Sequence, residues 1–297
     1  MLETILLIIL IIISGLLTQR GGFCLVAAVE EIAKSRFFKI TNILAVALIS
    51  GAILMISHPP YSFHPNQQQF IIAIVGAIIF GFGATVNNAC FFGTLTQFFK
   101  GNSNMLFTLI GIISASIFIP PFATGQNTPP TYPSFIGYSL VLFIILSLFI
   151  CLDYKKKYYD FIWLLIPSIT FGFINTSTFG WSLSQLIINI WYFIYSDSQF
   201  IALQMWEFVA FLLGMWLYHF RYSQFEWKRF NYAIAIKNFI AGTIMVLGAR
   251  MMGGGNDTLL FARLPTLVPE IFTLLFVLIL SIYFSRGLID KLNFKLN

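Results

Sequence analysis

The hydrophobic run from about Phe70 to Pro120 sets the strongest limit on how this chain folds. As one straight helix it would be ~75 Å long, more than twice the ~30 Å hydrocarbon core of a bilayer, so the run must turn within itself. The polar interruption is Asn87-Asn88-Ala89-Cys90. Two amides and a thiol near glycines are poor lipid-facing groups, because unpaired polar atoms and broken backbone are costly in hydrocarbon. Residues 87–93 are therefore expected to be the turn of a re-entrant hairpin lining a buried site. The simpler alternative is two ordinary helices joined by a loop at the membrane surface.

With 58% hydrophobic and 9% charged residues in a chain of 297, no soluble domain fits, and an all-α polytopic membrane protein is expected. The net charge of +6 does not point to nucleic acid. Its basic residues sit in short clusters between apolar runs, as in membrane proteins that keep Lys and Arg on the cytoplasmic side, so the bilayer is the expected partner. Residues 1–17 carry Glu3, no early basic residue and no small-residue cleavage site, and are read as a first span rather than a leader. Cys24, Cys90 and Cys151 are too few for a disulfide framework.

Apolar runs give about nine spans, near 2–18, 41–57, 69–88, 104–122, 134–152, 160–175, 201–220, 234–250 and 267–285. The Lys- and Arg-rich loops 20–39, 153–160, 221–237 and the tail fall on one side with Lys100, which makes that side cytoplasmic and leaves the N-terminus external. The uncharged segments 58–68, 123–133 and 195–200 are then external. Four apolar stretches too short or broken to cross, at 20–39, 89–104, 175–195 and 251–265, are expected as re-entrant broken hairpins. The first two enter from the cytoplasm and the last two from outside. This gives a single transmembrane domain, 1–297, of two inverted halves (about 1–122 and 160–287) joined by 134–152. GFGATVNNACFFGTL can be laid on VLGARMMGGGNDTLL with Cys90 on Gly255, and GGFCLVAAVEEI on FGWSLSQLIINI with Cys24 on Ser182.

At Gln19-Arg20-Gly21-Gly22-Phe23-Cys24, and again from Gly81-Phe82-Gly83 through Asn88-Ala89-Cys90-Phe91-Phe92-Gly93, the chain resembles the YeeE/YedE family of bacterial inner-membrane sulfur-compound transporters. Members of that family take up thiosulfate. The resemblance extends over nearly the whole chain and implies a bacterial inner-membrane location, with Cys24 and Cys90 as stepping points for a small sulfur-containing anion. It departs at the third cysteine element, where Gly253-Gly254-Gly255-Asn256-Asp257 has glycine at the cysteine's place. Thiosulfate, sulfide, selenium species and other small anions stay open as substrates, and a cytoplasmic sulfur-carrier protein is a candidate partner.

Around the thiols, Asn87 and Asn88 offer amide donors and Thr94 a hydroxyl, either to the anion or as caps of broken helix ends. Arg250, Asn256, Asp257 and Arg263 cluster in or beside the last hairpin, and charges at membrane depth are functional hypotheses. Asp257 is expected to pair with Arg250 or Arg263; a proton or cation site is the competing reading, and a surface salt bridge the plain one. Glu30 and Lys34 fit a helix-surface pair, Glu207, Glu270 and His219 interfacial positions, and the many Phe and Trp bilayer packing. His58 and His64 lack a third ligand, so no metal is expected. Nor is a cofactor, since no nucleotide, haem or flavin motif is visible. The alternative function is a membrane thiol protein in sulfur transfer or redox chemistry, which would need a resolving cysteine close by.

Overall fold

Prolines and asparagines punctuate the apolar runs, and helices fill the stretches between them. The computed structural model describes residues 2–57, 62–63, 65–120, 122, 127–128, 166–171, 174, 182–196, 199–222, 227–264 and 268–296. In chain order the helices are α1 (Leu2–Gly21), α2 (Leu25–Ala33), α3 (Phe38–Ser57), α4 (Gln67–Val86), α5 (Phe91–Phe99), α6 (Met105–Phe118), α7 (Leu183–Ser196), α8 (Gln199–Tyr222), α9 (Tyr232–Met252) and α10 (Pro269–Leu296), with a π-helical turn at Thr258–Arg263. Asn66 caps α4 through a capping box with Gln69, and Pro269 opens α10, where a missing N–H costs nothing. Helices occupy seven of the nine expected spans. Span 134–152 lies outside the described residues, as do Cys151, His58, His64 and the lysines at 155–157, and 160–175 is described only at 166–171 and 174.

Among the described residues, four helical stretches are long and apolar enough to cross a membrane: Ile5–Ala33, Gln67–Phe99, Tyr232–Met252 and Pro269–Lys291. In lipid, helices gain little from hiding apolar surface from one another, so their contacts rely on close packing at small residues. That is the pattern here. Gly15 of α1 lies on the backbone of Phe211 in α8, and Gly214 of α8 on that of Ile12 in α1. Gly76 of α4 faces Gly248 of α9, and a Cβ on either would come within 2.8 Å of the other's carbonyl oxygen. Gly111 and Gly242 bring α6 onto α9, and Gly81 sits against Ser281 of α10. The centre of the protein is thus the α4–α9 pair, with α6 laid on α9 and α10 laid on α4.

Segments expected on one side of the membrane meet in space. Ser62–Phe63 pairs antiparallel with Asn127–Thr128, which joins the two uncharged loops. At Asn104 the basic-loop segments come together: Asn231 N–H donates to its side chain and Asn238 Nδ2 to its carbonyl. Arg286 of α10 reaches Glu30 of α2 at 3.5 Å, and Lys39 reaches Glu31 at 2.8 Å. Glu30 also pairs with Lys34 one turn on, at 3.4 Å.

His219 and Glu207 are packed inside the protein, 5% and 2% exposed within α8. One expectation changes: not all the phenylalanines are bilayer packing. Phe23, Phe92, Phe171, Phe211 and Phe261, from five separate segments, form one buried ring cluster, with Phe171 stacked on Phe261 at 5.1 Å. Trp206 and Trp216 do face outward, at 69% and 49% exposure.

Candidate functional site

The break after α4 follows from local chemistry. Val86 is the last helical residue, and Asn88 adopts φ 57°, a left-handed conformation that asparagine tolerates better than most side chains. Its N–H bonds Thr85 O, and Ala89 N–H bonds Ala84 O, the two bonds of a Schellman helix end. α9 ends the same way. Gly253 (φ 72°) donates to Arg250 O and Gly254 to Ala249 O. The residues laid on each other by sequence, Asn88 on Gly253 and Cys90 on Gly255, therefore sit at matching points. Cys90 precedes α5 and its carbonyl accepts from Thr94 N–H; Gly255 precedes the π-turn segment and accepts from Leu259 N–H. Cys24 before α2 and Ser182 before α7 repeat the pattern, accepting from Ala28 and Leu186. After the breaks at Cys24 and Cys90 the short helix does not run back along its predecessor. Instead α2 packs on α3 and α10, while α5 packs on α6, α8 and α1.

The first two breaks meet. Cys24 Sγ and Cys90 Sγ, far apart in sequence, lie 3.7 Å apart, both buried. Gly93 makes the room: a Cβ there would stand 2.5 Å from Cys24 Sγ and 3.1 Å from Ala89 Cβ. Each thiol heads a nine-residue helix, and neither side chain caps its helix. The N-terminal N–H groups of α2 and α5 and the positive ends of their dipoles therefore gather at the thiol pair.

Asn87 braces the break from inside. Its Nδ2 donates to Ala89 O at 3.0 Å and Thr94 Oγ1 at 2.8 Å, and its Oδ1 accepts from Thr108 Oγ1 at 2.6 Å. Thr94 Oγ1 also donates to Cys90 O at 2.9 Å. Both residues position Cys90 rather than present free donors beside it. Asn88 is turned away from the thiols, exposed, and bonded to Arg286 Nη1 at 2.6 Å. Replacing Asn87 with alanine removes all three bonds from a buried site and is expected to lower stability by about 1–3 kcal/mol, measurable as a fall in the unfolding temperature in detergent.

At the third break, the expected ion pairs are not made. Arg263 donates to Met252 O and Gly253 O, at 3.0 and 2.6 Å, capping the end of α9, and Arg250 donates to Ser116 O at 2.6 Å. A guanidinium near a helix C-terminus is well matched by those carbonyls. Asp257, 0% exposed, is held instead by Ser184, whose N–H donates to Oδ2 at 2.8 Å and whose hydroxyl donates to Oδ1. Gly255 N–H donates to Ser184 Oγ at 2.8 Å. A Cβ at Gly255 would come within 2.8 Å of Asp257 Oδ1 and Phe91 Cε2 and within 2.7 Å of Ser184 Cβ. The Asp257 carboxylate and Ser184 thus fill the space a third cysteine would need. Asn256, 1% exposed, has no partner for either amide atom among the described residues. Ser184 and Thr258 were not singled out from the sequence. The only hint was the match of Ser182 to Cys24, two residues before Ser184.

Residues 20–160, which contain both thiols, match a family model described as sulphur transport. Over that stretch, just under half of the chain, the protein is similar to the sulphur-transport family. No curated protein matches the chain. The buried thiol pair thus lies in the stretch that is similar to sulphur-transport proteins. The match stops before the Asp257 cluster.

Proposed function

We propose that this chain carries a small sulfur-containing anion across the bacterial inner membrane, along a path that passes between Cys24 and Cys90. The observation that carries this reading is the 3.7 Å approach of two thiols at the heads of two broken helices. A neutral S–H is a weak donor that does not repel an anion, and converging helix N-termini replace part of the anion's hydration. Thiosulfate is the first substrate to test, because members of the family this chain resembles take it up and Gly255, where the third cysteine would fall, departs from their pattern.

The same reading takes the protein as two inverted halves with the N-terminus external and the C-terminus cytoplasmic. It is supported by the matching break geometry at 24 and 182 and at 90 and 255, and by the exchange of α6 on α9 for α10 on α4. The test is uptake of radiolabelled thiosulfate and hydrosulfide into proteoliposomes of the purified protein against empty liposomes. Uptake of neither would end the transport reading; uptake of hydrosulfide alone would move the substrate away from thiosulfate.

The short thiol distance also favours a second reading, sulfur transfer or redox chemistry, because each cysteine has a resolving partner beside it. Mild oxidation with copper-phenanthroline is expected to remove two of the three titratable thiols and to block uptake until a reductant is added. A sulfur-transfer protein would instead gain the mass of one sulfur atom on Cys24 or Cys90 after treatment with a persulfide donor.

A further inference from the structure

Asp257 is a carboxyl group with 0% exposure, held by two hydrogen bonds from Ser184. No cation pairs with it among the described residues. A continuous line of hydroxyls leads to it: Ser182 Oγ lies 2.7 Å from Thr258 Oγ1, which lies 2.8 Å from Ser184 Oγ, which bonds Asp257 Oδ1. Each hydroxyl can donate onward as it accepts from behind, the arrangement by which a proton passes along a chain. The neighbouring elements bring few other charges. Arg250 ends on Ser116 O, Arg263 on two carbonyls at the end of α9, Lys39 of α3 on Glu31, and Glu270 stands in the first turn of α10. α5 itself carries no titratable side chain, and Cys90 precedes it.

We infer that Asp257 binds the proton that enters together with the anion; this rests on the transport reading above. An anion entering a cell is opposed by the membrane potential, so inward accumulation needs a coupled cation. The site supplies the coupling by geometry. The point occupied by a Cβ on Gly255 lies 2.8 Å from both Asp257 Oδ1 and the ring of Phe91, the residue after Cys90. An ionised carboxylate there repels an anion approaching the thiols. One proton, delivered through Ser182, Thr258 and Ser184, makes the carboxyl neutral and turns it into a donor. Asn256, buried with neither amide atom matched among the described residues, supplies the polar partner that an occupied site would satisfy. The anion then passes with that proton, with no bond of the anion broken.

The test uses the full chain in proteoliposomes, with the membrane potential clamped by potassium and valinomycin and labelled thiosulfate or hydrosulfide outside, whichever is transported. With one proton per anion, an inward gradient of one pH unit is expected to raise wild-type accumulation about tenfold. Asp257→Asn is expected to equilibrate the anion with less than about a twofold response to the same gradient, while Asp257→Glu keeps the response. Wild-type accumulation indifferent to the gradient, or Asp257→Asn following it like the wild type, would overturn the inference. Should Asp257→Asn fail to fold, the wild type and Asp257→Glu still decide. Wild-type liposomes that take up neither anion, seen before any gradient is imposed, defeat the transport reading itself and this inference with it.

Discussion

Proteoliposomes of Cys90→Ala are expected to take up labelled sulfur anion at least ~10-fold more slowly than the wild type, and Cys24→Ala to do the same. A hydrogen bond to a charged partner contributes about 1.5–3 kcal/mol, or roughly 10- to 100-fold, where nothing else replaces it. The two thiols lie 3.7 Å apart at the heads of α2 and α5, where each is the sulfur the other break presents. The protein should stay folded, because cysteine to alanine removes one atom from each of two buried sites and costs about 1 kcal/mol. Gly93→Ala separates chemistry from position. It keeps both cysteines but places a carbon 2.5 Å from Cys24 Sγ, so the thiol has to move. Loss of uptake in all three variants locates the path at the thiol pair. Wild-type rates in both cysteine variants would remove the thiols from the path.

Gly248→Val is expected to be the most damaging single substitution for folding. Its new Cβ would overlap Phe80 N and stand 2.7 Å from Gly76 O, in the α4–α9 contact at the centre of the protein. Both obstacles are helix backbone, which cannot rotate away as a side chain can. Overpacking of this kind costs about 3 kcal/mol or more, a large share of the total stability of a domain. Size-exclusion profiles and unfolding temperatures in detergent should show aggregation or a fall of many degrees. Gly287→Ala in α10 is the control, since nothing lies within 4 Å of a Cβ there. Replacing glycine inside an open helix should be neutral or stabilising by about 0.5–1 kcal/mol.

Much of the fold was legible because its signals are local. Apolar run length marks α1, α3, α4 and α8 to α10, and the pair Asn87-Asn88 marks the end of α4, where a left-handed residue is required. Cys90 and Gly255, and Cys24 and Ser182, the pairs laid on one another in the sequence, each stand just before a helical segment. The details of the site were less legible. Asn87 and Asn88 look alike in sequence, yet one is a buried brace and the other an exposed partner of Arg286, since a left-handed turn sends adjacent side chains in opposite directions. Asp257 and Arg263 suggest an ion pair by proximity and charge, but the end of α9 offers carbonyls that the guanidinium reaches first.

The sequence by itself determined that the chain is a helical membrane protein, where its helices break, and which thiols, amides and charges stand at the breaks. Those properties depend on hydrophobic length and on backbone preferences over a few residues. Only the tertiary structure decided that the breaks at Cys24 and Cys90 meet, that Gly93 makes room for them, and that Ser184 rather than an arginine holds Asp257. Each of these joins residues dozens to more than seventy positions apart, or depends on glycine notches on helix faces that face a partner only once packed. No local preference encodes which faces will meet.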